Sequence, residues 1–398
     1  IYRIINPQPV SFSGIYNPEE FIKEKRNNNY GDFLKKHDIK ILHVHSLIGF
    51  PIELLNEAKN LNIKTIFTTH DYFGLCPRIN FFKYDNIICS DYKQGRDCVL
   101  CNYNIQNQIN MKRNIMIIFS KYYYLIKKVY YLFKKKNNRL VFNERVDFKN
   151  TKIDRDKAIG FVKFRDYYKS IIENFDIIIF NSSITKNEYA KYVNLGNTKY
   201  YILPVTHSKI KDNRNIIDYK PTINNKVNLL FMGNLDKKKG FWDLVSVLDE
   251  IKEKYSNWQI NIYGDHSNID LENFDKKFYK FYGNYKHDDL LNIFSDSSIL
   301  IIPSKWKETF GFIGLEAYSY GIPALVSENV GFSDLIVNYK NGVVYKEDSN
   351  NKYLKESIIK ILEKSELLKQ YNEEILKSDF NYLLKDHSKE TLDFYKNF

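Results

Sequence analysis

Two glutamates, Glu308 and Glu316, stand eight positions apart in "PSKWKETFGFIGLEAYSYGIP" (303–323), with Thr309, Phe310, Gly311 and Phe312 just after the first. The apolar run "SILIIPS" (298–304) reads as a buried strand, and the pattern from Gly311 to Gly321 reads as a helix. Glu308 then sits in a loop at a strand end, and Glu316 lies in the second turn of the helix. A helix N-terminus offers unpaired N–H groups and a partial positive charge, which suits phosphate. Gly311 lets a ligand come close to the backbone. Glu316 is placed to accept hydrogen bonds from both hydroxyls of a ribose, and Glu308 to face whatever hangs from the phosphates. Diphosphate, ribose and hexose are the three parts of a nucleotide-linked sugar.

Further candidates lie at other strand ends. "IKILHVHS" (39–46), "IKTIFTTHD" (63–71) and "FDIIIFNSS" (175–183) read as strands that finish in His45-Ser46, His70-Asp71 and Ser182-Ser183. In open parallel sheets ligands bind beyond the carboxyl ends of the strands, so these residues are site candidates by position. His43 and His45 share a face of their strand. His45 is nearer the carboxyl end and reads as the cleft residue, and His43 as packed under the sheet. The plainer readings are a structural role for His70, a surface lysine for Lys239 in the charge run "DKKKG", and solvated charges for the two glutamates.

The cysteines Cys76, Cys89, Cys98 and Cys101 follow C-x12-C-x8-C-x2-C, and the rest of the chain has none. Four thiolates at such spacing fit a structural zinc site. Free thiols and disulfides fit the same residues, disulfides less readily in a reducing compartment.

Short apolar runs alternating with amphipathic helical patterns predict an α/β protein with parallel strands. The first series includes a helix over 52–62 and a fourth strand, "KYYILPV" (199–205). The polar stretch 207–226 separates it from a second series. That series has strands near 227–235, 258–265, 298–304 and 323–328, and helices over 240–255, 288–297 and 311–321, with two amphipathic helices after about Asn351. The expected domains are 1–206 and 207–398, the first carrying a Cys-containing, basic, helical insertion at about 76–174.

The 398 residues, 43% of them hydrophobic, suffice for two folded domains and exclude global disorder. The net charge of +12 suits an anionic partner. Within 111–139, aromatic and aliphatic residues interleave with Lys and Arg, a composition suited to an anionic membrane surface. No nucleic-acid-binding motif is present, no apolar run is long enough to cross a membrane, and no secretory signal is expected.

"ETFGFIGLE" followed by "AYSYGIPALVSENVGFSDLI" resembles the E-x7-E signature of family 4 retaining glycosyltransferases, which have the GT-B fold. "FMGNLDKKKG" (231–240) is similar to that family's G-R-L-x-x-E-K-G loop, and "FYGNYKHDDLLNIFSDSSILIIPS" (281–304) to the stretch preceding the signature. "HVHS" and "TTHDYFGLCPR" resemble acceptor-domain strands of bacterial members that build surface polysaccharides. The resemblance covers most of 39–345. It implies two Rossmann-like domains across a cleft and transfer of a hexose from a UDP- or GDP-sugar to a glycan or lipid-linked acceptor.

The resemblance further implies a reaction with retention and no required cofactor or metal. It gives Glu308 a contact with the donor sugar, Glu316 the ribose, Lys239 the diphosphate, and His70 a place facing the transferred sugar. Gly233 and Gly240 would shape the phosphate loop, Thr309, Phe310, Gly311 and Phe312 would belong to the donor site, and His45 and Asp71 would lie on the acceptor side. The implied location is cytoplasmic, peripheral on the inner face of the plasma membrane. Two departures stand out. Asn234 replaces the family's arginine, a bidentate phosphate donor, with Lys237, Lys238 and Lys305 as substitutes. Only 42 residues precede "HVHS", too few for the family's first glycine-rich βα unit, so the first domain is expected to be incomplete. The same fold also serves epimerases and phosphorylases, and a basic scaffold or nucleic-acid-binding protein with a vestigial site is the reading from another class.

Overall fold

A computed structural model describes residues 9, 14–24, 29–103, 153–196 and 198–396. The basic segment 111–139 lies outside the described residues.

The first domain is built on helix α1 (Tyr30–Lys36), strand β1 (Ile41–Val44), helix α2 (Ile52–Asn60), strand β2 (Lys64–Thr69), helix α3 (Arg96–Cys101), helix α4 (Arg155–Glu173), strand β3 (Ile177–Phe180), helix α5 (Ser183–Tyr189) and strand β4 (Lys199–Ile202). Its four strands form one parallel sheet in the order β1-β2-β3-β4, with Ile66 opposite Ile177 and Ile178 opposite Tyr200. Asp176 ties this register. It accepts from Thr65 N (2.8 Å) and from Lys59 Nζ (2.5 Å), joining β2, α2 and the start of β3.

Parallel neighbours need a crossover between them, and α4 supplies it from β2 to β3. Phe161, Phe164, Tyr168, Ile171 and Ile172 recur at helical spacing and are buried with Phe21, Phe73 and Phe175. This departs from the reading of everything up to 174 as an insertion, because residues 155–173 are part of the domain core. Asp154 caps the helix, its carboxylate accepting from Lys157 N at 3.1 Å.

The second domain has strand β5 (Val227–Met232), helix α6 (Phe241–Ile251), strands β6 (Trp258–Tyr263) and β7 (Tyr279–Gly283), helix α7 (Leu290–Ser295), strand β8 (Ile299–Ile302), helix α8 (Phe312–Tyr318), and strands β9 (Ala324–Ser327) and β10 (Val343–Tyr345). All six strands pair in parallel, in the order β10-β9-β8-β5-β6-β7. Every residue of β5, β8 and β9 is buried, as befits strands covered on both faces. The order reverses direction beside β5, so the carboxyl ends of β5 and β8 flank a switch point. The loops after these two strands carry Lys239 and Glu308.

Three helices follow Asn351 instead of the expected two: α9 (Lys352–Glu363), α10 (Glu366–Lys377) and α11 (Leu384–Lys396). The first two pack on the second domain. The third returns to the first sheet, where Phe394 and Tyr395 pack beside buried Ile66, Ile177, Ile179 and Leu203. The strands are shorter than their sequence patterns suggested, because the polar residues ending each pattern leave the ladder and enter the loops.

Candidate active site

The loop after β5 begins at Gly233, whose N–H donates to Tyr263 O. Its φ of +141° favours glycine, and a β-carbon there would meet nothing within 4 Å, so the backbone is open to a ligand. Asn234 beside it is exposed. Asp236 then turns the chain by accepting from Lys239 N at 2.8 Å. Gly240, at φ +70°, starts α6 where a β-carbon would lie 1.8 Å from the carbonyl oxygen of Pro303. The phosphate-loop candidate and the end of β8 therefore touch backbone to backbone.

That contact places Lys239 against Glu308. Lys239 Nζ donates to Glu308 Oε1 at 2.7 Å, and Ser304 Oγ donates to Glu308 Oε2 at 2.9 Å. Glu308 is nearly buried, and its backbone is pinned on both sides: its N–H donates to Asn329 O (2.8 Å), and its carbonyl accepts from Gly331 N (2.9 Å). Of the three lysines read as substitutes for the missing arginine, Lys305 is held by Asp243 (2.9 Å) and Glu347 (3.1 Å). Lys238 lies over the Trp306 ring, 5.1 Å from its centroid, and Lys237 is exposed.

Gly311 adopts φ +96° and precedes α8, so the helix begins at Phe312. Phe310 is buried, and Phe312 is exposed and meets the His207 ring edge-on at 5.2 Å. Glu316 lies one turn further. His207 Nε2 stands 3.7 Å from its Oε1, and burial raises the carboxyl to about 7, with the Lys209 charge opposing. Sequence reasoning missed His207, which lies in the stretch between the domains and gave no strand or helix signal.

The two domains meet at Thr309. Its carbonyl accepts from Ser182 Oγ (2.8 Å) and Thr185 Oγ1 (3.0 Å), and its hydroxyl donates to His70 O (3.1 Å). Ser183 donates through its N–H and its hydroxyl to Asp334, at 2.5 and 2.6 Å. Ser182 also caps α5. The polar end of β3 thus grips the loop that carries Glu308, a pairing across 127 positions that no local pattern announces.

On the first sheet, His45 Nδ1 and His70 Nε2 share a hydrogen bond of 3.1 Å. His43 stacks on His45 with ring centroids 4.1 Å apart, and bonds Thr68 Oγ1 (2.7 Å) and Tyr395 OH (2.5 Å). The two histidines share a face, as their spacing requires. His43 lies within the polar cluster under α11 and not in apolar packing. Asp71 turns inward: one carboxylate oxygen accepts from Phe73 N at 2.7 Å, and burial raises its pKa.

Burial, reinforced by the neighbouring His45, His70 and His387, lowers the pKa of His43 to about 3. The unfolded chain takes up this proton near pH 6.5 and the folded chain does not. The stabilisation is therefore complete above pH 6.5 and is lost as pH falls toward 3. At pH 5 His43 is expected to account for a loss of roughly 2 kcal/mol relative to pH 7.5. Urea unfolding at the two pH values checks this, and a flatter dependence is expected in His43→Gln.

Of the three readings open to the cysteines, the structure shows free thiols and no disulfide. Among the described residues no three His, Cys, Asp or Glu side chains are grouped to hold a metal ion. All four cysteines line one small cavity, and the Arg165 side chain forms part of its wall. Arg165 donates to Cys98 Sγ at 3.4 Å and to Leu75 O, and it stacks over Tyr92. A buried guanidinium among the sulfurs opposes a second cation. Burial raises the Cys89 and Cys101 thiols to about 12, which keeps them protonated. All four cysteines are free.

Two parallel α/β domains facing each other through Thr309 and its partners, with a loop from each sheet at the junction, are the GT-B architecture. Residues 213–378 match the family described as Glycosyl transferases group 1. A Klebsiella pneumoniae protein described as an uncharacterized 41.2 kDa protein in the cps region is 30% identical over 127 residues, 32% of this chain. The match spans 35%, about a third, of that relative's own length. The fold is shared with a glycosyltransferase from Rickettsia africae (TM-score 0.54, 16% identity, 94% of this chain and 83% of that one). It is shared also with the pneumococcal O-GlcNAc transferase GtfA, solved in complex with UDP and GlcNAc (TM-score 0.51, 13% identity, 92% and 59%).

Proposed function

We propose that this chain is a retaining glycosyltransferase. It moves a hexose from a nucleotide-diphosphate sugar to a glycan or lipid-linked acceptor in the making of a cell-surface polysaccharide. The observation that carries the reading is the Lys239–Glu308–Ser304 constellation, set between a glycine-opened loop and a helix bearing Glu316. The group 1 match over 213–378 contains all of these residues. The relative from a cps region and the UDP-bound neighbour of the same fold support the polysaccharide and uridine parts.

In this reading Lys239 holds the diphosphate and balances the charge that grows on it as the sugar departs. Glu308 releases Lys239 to the phosphates and accepts from the sugar hydroxyls. Glu316 takes the ribose. The acceptor hydroxyl attacks from the face that the nucleotide leaves, and a phosphate oxygen of the donor removes its proton, so no protein nucleophile and no metal are required. His70 and His45 face the reacting sugars from the first domain. The net charge of +12 and the basic composition of 111–139 support a peripheral site on the anionic inner face of the plasma membrane. Among the described residues no helix is long and apolar enough to cross a membrane.

Thermal unfolding with a panel of UDP-, GDP-, ADP- and TDP-sugars tests the reading, since a ligand of the native state raises the melting temperature above its Kd. One nucleotide class should stabilise wild type and fail with Glu316→Ala. No shift with any nucleotide in a folded sample refutes it. A pH dependence follows from the Glu316 carboxyl near 7. Only the ionised form accepts from both ribose hydroxyls, so sugar-nucleotide affinity should fall by up to about tenfold per pH unit below 7 and level off above it. Titration calorimetry at pH 6 and 8 checks this, with Glu316→Gln flat across the range.

A further inference from the structure

We propose that the cavity between the first sheet and helix α11 is a subsite for an uncharged sugar ring, the acceptor end of the transfer, and that α11 is one wall of it. This rests on the transferase reading and adds the chemical class of the acceptor and a second-wall element. The cavity has a volume of about 360 Å³, inside the range of roughly 300–1,000 Å³ common for small-molecule sites. His43, His45, Thr68 and His70 form the sheet side, and His387 and Tyr395 of α11 face them.

The lining contains no Lys, Arg, Asp or Glu. A phosphate or carboxylate would lose its hydration and meet no Lys or Arg in the lining, which is costly. Burial keeps His43, His45 and His70 below their ordinary pKa, so these rings are neutral near pH 7. What the cavity offers is imidazole nitrogens, hydroxyls and ring faces, the complement of a neutral pyranose with hydroxyls at its rim and C–H groups on its faces.

The hydrogen bonds define which atoms remain for a ligand. Both nitrogens of His43 are used, by Thr68 and Tyr395. The His45–His70 bond uses one nitrogen of each ring, which leaves His45 Nε2 and His70 Nδ1. His387 Nδ1 lies 3.1 Å from Pro204 O, and a carbonyl only accepts, so Nδ1 carries a proton and Nε2 is left for a ligand. The cavity also adjoins the donor side. The carbonyl of His70 accepts from Thr309, the residue after Glu308.

Saturation-transfer NMR on the full chain tests this. The probes are methyl glucoside, galactoside, mannoside and N-acetylglucosaminide, set against glucose 6-phosphate and glucuronic acid, with nucleotide-sugar binding measured on the same samples. At least one neutral hexoside should bind wild type. Thr391→Trp, which fills the cavity from α11, should abolish that signal, and His387→Ala should weaken it about fivefold, both with nucleotide affinity retained. Charged sugars should give no signal. Equal hexoside binding in wild type and both variants, preference for a charged sugar, or no hexoside signal in a chain that binds nucleotide overturns the subsite. If Thr391→Trp does not fold, His387→Ala decides alone. Hexoside binding without any nucleotide binding refutes the transferase reading and leaves the subsite standing.

Discussion

Lys239→Ala is expected to lower kcat/KM for sugar-nucleotide turnover by about 10²–10³-fold, the loss typical when one group that stabilises transition-state charge is removed. Two effects combine. On the proposed reading the diphosphate loses its point charge, and Glu308 loses the partner that now holds it at 2.7 Å. Ser304 alone then fixes the carboxylate. The nucleoside half should be untouched, so the affinity for UDP or GDP should fall by about tenfold or more while that for the free nucleoside stays within twofold. Lys239→Arg should recover only part of the loss, because a planar guanidinium does not place its charge where an ammonium does. Equal losses for diphosphate and nucleoside would mean that Lys239 braces the fold and does not bind phosphate.

The second large effect is expected from a single methyl group. In Gly240→Ala the new β-carbon would stand 1.8 Å from Pro303 O, at a φ of +70°. Neither atom belongs to a flexible side chain, so the loop before α6 and the end of β8 must separate. The expected cost is about 3 kcal/mol or more, or roughly 6–12 °C in melting temperature for a domain of this size. Because Pro303 precedes Ser304 and the Glu308 loop, nucleotide affinity should fall with it. Gly233→Ala is the control. Its φ of +141° is also unfavourable, but its β-carbon would point into open space, and a loss of about 1 kcal/mol is expected. Differential scanning calorimetry of the two variants separates the clash from the backbone strain.

The parallel architecture was legible because the signals are local. Runs such as "IIIF" in β3 and "ILII" in β8 are buried throughout, and glycines mark the loops where ligand or backbone must approach. The family resemblance put Lys239 and Glu308 in one donor site, but their pairing across 69 positions was not legible. The contact of His43 with Tyr395, across 352 positions, was not legible at all. Its strand partner signalled a face but not what covers that face, and the helix bearing Tyr395 reads as an ordinary amphipathic helix. The cysteine spacing was real information about proximity. It could not reveal Arg165, which arrives from a helix 64 positions beyond the last cysteine. Helix α4 was misread because its apolar stripe follows a long polar and basic stretch that masks the crossover it completes.

The return of α11 to the first sheet has a consequence during synthesis. The apolar face formed by Ile66, Ile177, Ile179 and Leu203 has left the ribosome long before Phe394 and Tyr395 exist to shield it. At ordinary elongation rates the whole second domain must be made in between, an interval of roughly 10–40 s. The first domain is therefore the earlier to begin folding and the later to finish. For that interval the sheet face lacks its α11 cover and is expected to attract chaperones, and a pause in translation anywhere between β5 and α10 lengthens the exposure.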